Sequence, residues 1–331
     1  MTATKVYYDT DADLSRLHDR TIAVIGYGAQ GRSHALNLRD SGCRVVIGQR
    51  LGGAGHAAAI ADGFTPVSIA EVVRGSELIN LQLPDELHGS VFESQIRDNL
   101  KPGALLITSH GFSLHYRLIV PPPQAAAILV APKAAGHRVR SAYTEGSGVP
   151  YLIAAGPNAL PHHLADGLAF AKAVGGTRVG VYETTVAAET ETDLFGEQVV
   201  LCGGVSQLIK AAFATLLEAG YQPELAYFEC LHELKLVVDL IHRGGLAYMH
   251  AHISNTAEYG DYTRGPRLID DRARQTMREI LNEIRSGAFA QEMQAEFAAG
   301  QPILKQHRAA EAQLEIEQIG HALRQAMGLL P

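Results

Sequence analysis

Two pairs of carboxylates, Asp193 with Glu197 and Glu229 with Glu233, stand four residues apart within strongly apolar stretches. On an α-helix that spacing puts both members of a pair on one face, where like charges repel. Burying them beside Phe and Leu is costly unless something neutralises them. Hard divalent cations do this, and a carboxylate set with few or no imidazole ligands suits Mg²⁺ rather than Zn²⁺. The competing reading is two solvated helix faces, with Lys210 and Lys235 as local screens. Because the pattern occurs twice, the metal reading is favoured.

A second chemical feature lies near the start of the chain. Gly26-Tyr27-Gly28-Ala29-Gln30-Gly31 fits G-x-G-x-x-G, follows the apolar run Thr21–Ile25 and opens a helical stretch ending near Asp40. In that context glycines let the backbone approach a pyrophosphate, whose charge sits at the helix N-terminus. The end of the next strand reads the ribose. An NAD site usually has Asp or Glu there, whereas this chain has Gln49 and Arg50. A guanidinium suits a 2′-phosphate, so the expected cofactor is NADPH. Three more polar groups fall at expected strand ends: Asp85 after Pro84, His110, and Lys133. Ligands of open α/β sheets lie beyond those ends.

The elements that must carry these residues change character along the chain. Apolar runs at Thr21–Ile25, Arg44–Ile47, Glu77–Leu83, Ala104–Thr108, Ala127–Val130, Tyr151–Ala154 and Thr177–Val181 alternate with helical stretches. This predicts βαβ units and a mostly parallel sheet. From about Glu183 the period is helical throughout, with Gly220 and Gly244–Gly245 as expected helix ends. The predicted division is therefore an α/β domain over 1–182 and an all-helical domain over 183–331.

Composition bounds the alternatives. The chain has 331 residues, 47% of them apolar and 19% charged, which fits two buried cores and excludes a disordered chain. A net charge of −7 argues against nucleic acid. The sequence shows no expected membrane span and no signal pattern, and its three scattered cysteines suit a reducing cytoplasm. The charge is unevenly placed: residues 1–182 carry a net +2 and the remainder −9.

Several longer strings resemble one family over essentially the whole chain. They are Glu191–Gln198 (ETDLFGEQ), Ala226–Glu229 (AYFE), His232–Lys235 (HELK) and Ile253–Tyr262 (ISNTAEYGDY), with His110–Phe112, Ala131–Lys133 and Gly136–His137 in the first domain. They are similar to the short, class I, ketol-acid reductoisomerases. The resemblance implies a Rossmann-like α/β domain followed by a knotted helical domain. It implies a Mg²⁺-dependent alkyl migration in a 2-acetohydroxy acid, followed by NADPH reduction to a 2,3-dihydroxy acid in branched-chain amino-acid synthesis. By position, Asp193 would bridge two Mg²⁺, Glu197 would bind one, and Glu229 and Glu233 would complete the second. Ser254 would hydrogen-bond the substrate. Glu229, Glu233 and Ser254 would serve the partner's site in an interlocked homodimer. Lys133 would polarise a substrate or metal-bound oxygen, with His110 in the proton network and Glu233 as a competing proton carrier. The cofactor would meet Gly26–Gly31, Arg50, Asp85, Glu86, Leu87, His88 and Gly136.

The chain also departs from the family pattern. Ala29 and Arg32 replace Ser and His in the cofactor turn, and Gly53 and Gly55 stand where two serines normally hold the 2′-phosphate. Arg32 or His56 is expected to compensate. Ser113 replaces a common Asn, and His88 a common Gln. Alternatives are a paralogue with altered substrate, a metal-independent hydroxy-acid dehydrogenase using Lys133, and a degenerate dinucleotide-binding sensor.

Overall fold

The computed structural model describes residues 4–329 and divides into two compact units, Met1–Thr192 and Asp193–Pro331. The division falls later than the expected cut after Tyr182. The helix Val186–Gly196 begins with buried side chains of the first unit, notably Glu189 and Thr190.

The first unit is built on eight strands: β1 (Val6–Tyr7), β2 (Thr21–Ile25), β3 (Arg44–Gly48), β4 (Leu78–Leu81), β5 (Leu105–Thr108), β6 (Ala126–Pro132), β7 (Tyr151–Ala155) and β8 (Val181–Glu183). Their order is β1-β8-β7-β6-β5-β4-β2-β3. Strands β3, β2, β4, β5 and β6 pair in parallel, while β6–β7 and β1–β8 are antiparallel. Alternate residues of the parallel strands enter separate cores. Ile22 and Val24 pack with Leu38, Ile107 and Phe170, whereas Ala23 and Ile25 pack with Ile79, Phe92 and Leu106. Burial on both faces explains why these strands read as continuous apolar runs. Between β3 and β4 the chain reverses its direction across the sheet, which opens a crevice above the carboxyl ends of β2 and β4.

One strand expectation is corrected, and one strand had not been expected. Thr177–Val181 is not a strand: residues Gly176–Arg178 form a 3₁₀ turn and the strand begins only at Val181. Gly175 and Gly180 adopt φ of 93° and 140°, which breaks an extended run there. The short β1 had no detectable sequence signal. It is fixed by pairing with β8 and by the Tyr7 hydroxyl donating to Glu183 at 2.5 Å.

The second unit is helical, with its longest helices at Gly203–Glu218, Glu233–His250 and Asp271–Ser286. Its small core gathers Phe213, Ala226, Tyr227 and Ile316. Gly320 touches the Tyr227 ring so closely that a Cβ would lie 2.5 Å from it. Gly245, at φ 82°, kinks the helix that runs to His250. Contrary to expectation, the helical stretch Val186–Glu218 is long and apolar enough, by length and composition, to cross a membrane.

Candidate functional site

The crevice of the first unit holds a cavity of about 850 Å³, within the range of small-molecule sites. Its floor is the glycine turn after β2. Gly26 has φ +97°, and a Cβ there would lie 2.6 Å from the Gln82 carbonyl oxygen. A Cβ on Gly31 would lie 2.3 Å from the Gly26 oxygen, so both positions need glycine for packing. At Gly28, by contrast, a Cβ would meet nothing within 4 Å. Gly28 also precedes the helix Ala29–Asp40 without a side-chain cap, leaving its first N–H groups facing open space suited to an anion.

Of the residues expected at the cofactor, Gly26, Tyr27, Gly28, Ala29, Gln30, Arg50, Asp85, Leu87 and His88 line this cavity. Gly31, Glu86 and Gly136 do not. Gly136 instead begins a helix packed on the glycine turn, where a Cβ would fall 2.5 Å from the Ala29 carbonyl carbon. The Tyr27 hydroxyl donates to Asp62 at 2.9 Å. Burial first, and then Asp62, push that phenol pKa up. Arg32 is not available as expected: it holds Asp62 through two bonds of 2.6 and 2.8 Å. That contact keeps the Asp62 carboxyl below its usual range. Arg50 lies beside Gly53, and the Gln49 carboxamide lies against Gly55.

At the strand ends, His110 Nδ1 meets the Asp85 carboxylate at 2.9 Å. Burial would raise the Asp85 pKa, but the hydrogen bond from His110 and the nearby His88 bring it below its ordinary value. Asp85 thus orients His110 as well as lining the cleft. His88 Nδ1 meets Ser113 Oγ at 2.6 Å in a buried contact. Burial lowers the His88 pKa, against the pull of Asp85. Those two departures from the family pattern are therefore one hydrogen-bonded pair.

Lys133 follows β6 and donates to Glu189 Oε1 at 2.8 Å, while the Gly111 N–H donates to Glu189 Oε2 at 2.9 Å. Glu189 is 1% exposed. Sequence reasoning passed over it, although it precedes Asp193 by one helical turn on the same helix. Gln82 and Ser109 were also missed, despite lining the cleft at the ends of β4 and β5. The strand-end signal that picked out Asp85 and His110 applied equally to them.

In the second unit, the expectation of buried carboxylates on regular α-helices is corrected. Asp193 is half-buried, but Glu197, Glu229 and Glu233 are exposed in the single chain. Glu197 opens a π-helical turn over Glu197–Leu201, and Glu229 lies within another over Phe228–His232. The Glu233 N–H accordingly reaches back to the Phe228 carbonyl, five residues away. Such turns are rare and frequent at functional sites. Among the described residues, neither Glu229 nor Glu233 converges with two other metal-ligating side chains. Ser254 caps the helix Asn255–Leu268, its Oγ accepting from the Ala257 N–H at 3.2 Å, so its hydroxyl hydrogen can still be donated.

Comparison with known proteins gives two family matches. The domain described as ketol-acid reductoisomerase, C-terminal domain, matches residues 186–328, and the acetohydroxy acid isomeroreductase NADPH-binding domain matches 16–180. Among solved structures, an NADH-preferring ketol-acid reductoisomerase from an uncultured archean is 43% identical, with a TM-score of 0.94, covering 97% of this chain and 98% of that one. A semialdehyde dehydrogenase NAD-binding protein from Cupriavidus necator, solved with calcium and NAD, is 20% identical with a TM-score of 0.62. That match covers 81% of this chain and 99% of the other, and is a likeness of fold alone.

Proposed function

Because the chain belongs to the ketol-acid reductoisomerase family, we propose that it isomerises 2-acetolactate or 2-aceto-2-hydroxybutyrate and reduces the product to the 2,3-dihydroxy acid. This places it in valine, isoleucine and leucine synthesis, in the cytoplasm. The observation that carries this reading is the 43% identity to a reductoisomerase along nearly the entire chain. The unbroken set of Asp193, Glu197, Glu229 and Glu233 supports it.

Those four residues offer only carboxylate oxygens, a donor set that fits Mg²⁺. When bound, two Mg²⁺ would supply Lewis acidity for the alkyl shift and the nicotinamide a hydride for the reduction. The chain's own groups do the rest. Asp193, Glu197, Glu229 and Glu233 would hold the metal through their carboxylates. Lys133, steadied by Glu189, donates a hydrogen bond to a substrate oxygen, and Ser254 donates to the substrate carboxylate. His110, oriented by Asp85, holds the water and proton network, with Glu233 as the alternative proton carrier.

The active form we propose is a homodimer with knotted, interlocking helical domains, in which Glu229, Glu233 and Ser254 complete the site of the other copy. Large apolar side chains of the helical unit support it. Val200, Leu201, Leu208, Leu236, Leu246 and Tyr259 are between 54% and 67% exposed in the single chain. A second copy would cover them, and would also cover the apolar stretch within Val186–Glu218.

NADPH is the proposed reductant. Arg50 stands in the cleft with no carboxylate at the end of β3 to favour a free ribose. Gly53 and Gly55 contribute no hydroxyl, and the archaeal relative prefers NADH, so both cofactors belong in the assay. Oxidation of NADPH is followed with 2-acetolactate, with and without Mg²⁺. Metal-dependent turnover is expected; no turnover under any metal condition defeats the reading.

A further inference from the structure

Behind the cavity wall lies a titratable side chain that this chemistry does not use. His34, on the second turn of the helix Ala29–Asp40, is fully buried, with its ring edge-on to Phe170 at 5.7 Å between centroids. Four polar groups close on it. Nδ1 faces the amide nitrogens of Asn80 at 3.3 Å and Gln82 at 3.4 Å. Nε2 faces the Gln30 amide nitrogen at 3.2 Å and the Tyr151 hydroxyl at 3.3 Å. Gln82 Nε2 also donates to Asn80 Oδ1 at 2.7 Å and to Ser109 Oγ at 2.6 Å.

The donors assign the tautomer. The Asn80 amide nitrogen donates to Nδ1, while both N–H groups of Gln82 go to Asn80 Oδ1 and Ser109 Oγ, so Nδ1 accepts and the proton sits on Nε2. The Tyr151 oxygen takes that proton, and the Gln30 carboxamide, whose nitrogen lies 3.2 Å from Nε2, shares it with its oxygen and nitrogen exchanged, the amide orientation this tautomer requires. An imidazolium would oppose N–H to N–H at Nδ1. Burial independently pushes the His34 pKa down to about 4, so the ring is neutral.

Three members of this network, Gln30, Gln82 and Ser109, line the cofactor cavity. Gln30 stands on the helix after the glycine turn, and Gln82 and Ser109 stand at the ends of β4 and β5. The His34 ring joins the two carboxamides, lying directly against Gln30 and holding Gln82 through Asn80. An apolar residue would fill the same volume but leave buried amides without partners, each at a real cost.

We propose that His34 is a positioning residue for dinucleotide binding, holding the Gln30 and Gln82 carboxamides on the two sides of the crevice where they meet polar groups of the cofactor. The proposal rests on the dinucleotide reading above.

The test is affinity for NADPH and NADH in the full-length protein, read from the fluorescence of the cofactor itself. His34→Phe is expected to weaken binding about tenfold, the scale of one to two lost buried hydrogen bonds, with turnover at saturating cofactor within about twofold. The double variant Gln30→Ala/Gln82→Ala should lose a similar factor, and adding His34→Phe to it should cost less than about twofold more. A merely structural histidine would multiply its effect onto the double variant instead. Multiplicative effects, or unchanged affinity in His34→Phe whatever its melting temperature, overturn the proposal. Should His34→Phe not fold, Tyr151→Phe keeps the ring and removes the Nε2–H acceptor. It is expected to weaken binding about threefold, and unchanged affinity there overturns the proposal equally. Wild-type protein that binds neither dinucleotide removes the underlying reading and this proposal with it. Wild-type binding with no loss in the variants removes the proposal alone.

Discussion

Lys133 and Glu189 meet in a 2.8 Å ion pair whose acidic half is almost wholly buried and whose basic half stays partly open to solvent. Removing the lysine takes away the ammonium and leaves a buried carboxylate that still accepts from the Gly111 N–H. Lys133→Met is therefore expected to cost about 2–3 kcal/mol, trimmed from the usual cost of breaking a buried pair because solvent reaches the lysine. Lys133→Met/Glu189→Gln should recover most of that stability, since a neutral carboxamide oxygen still accepts from Gly111, while turnover stays absent. Thermal unfolding and turnover of the two variants check this. A double variant as unstable as the single one would show that the charge pair is not what holds this wall of the site.

Gly28 separates packing from ligand binding. A Cβ there has open space around it, whereas at Gly26 or Gly31 it strikes a backbone oxygen. Gly28→Ala should thus keep the wild-type melting temperature and lose at least about tenfold in dinucleotide affinity, because the methyl occupies the space reserved for pyrophosphate. Gly31→Ala should lower the melting temperature itself. Equal affinity in Gly28→Ala would mean that the phosphates lie elsewhere.

Glu229→Gln addresses the metal. The amide is isosteric and neutral, so the helix should fold while turnover falls more than about a hundredfold. Dinucleotide binding should be unchanged, since Glu229 belongs to the helical unit. Retained turnover at ordinary Mg²⁺ would take this residue out of the ligand set.

His34 makes stability depend on pH with a definite sign. Its pKa falls from 6.5 to about 4 on folding, so between those values the unfolded chain holds a proton that the folded chain does not. Stability therefore rises with pH across that window. The contribution is fully present above about pH 6.5 and is lost as pH drops toward 4, amounting to about 3 kcal/mol. Denaturation curves from pH 7 to 4.5 should be flatter in His34→Phe than in wild type. Parallel curves would refute a buried neutral ring.

The parallel core of the sheet was legible because β2 to β6 are buried on both faces and bounded by Gly, Pro and Asn. The short β1 was not, because two residues carry no periodicity and their pairing comes from β8, far along the chain. At the site, motif spacing identified Asp85, His110 and Lys133. It could not say that Asp85 would hold His110, or that Arg32 would be claimed by Asp62, since those partners are distant in sequence. His88 and Ser113 looked like separate oddities for the same reason, until folding placed them 2.6 Å apart. Glu189 was hidden by its neighbours: in a run with Glu191, Asp193 and Glu197, only burial distinguishes it.

The π-helical turn at Phe228–His232 holds one residue more than an α-helical path would need. The surplus residue lets the short helix Pro223–Tyr227, anchored by Tyr227, and the long helix from Glu233 to His250 keep nearly the phase of one continuous α-helix, because the π-helical turn winds about as far with its extra residue as an α-helical path does without it. Deleting Leu231 would therefore restore an α-helical path and leave Glu233 and the exposed apolar side chains after it facing as before. What would change is the spacing of Glu229 from Glu233. Metal ligation would fail while the surface offered to a second copy survived.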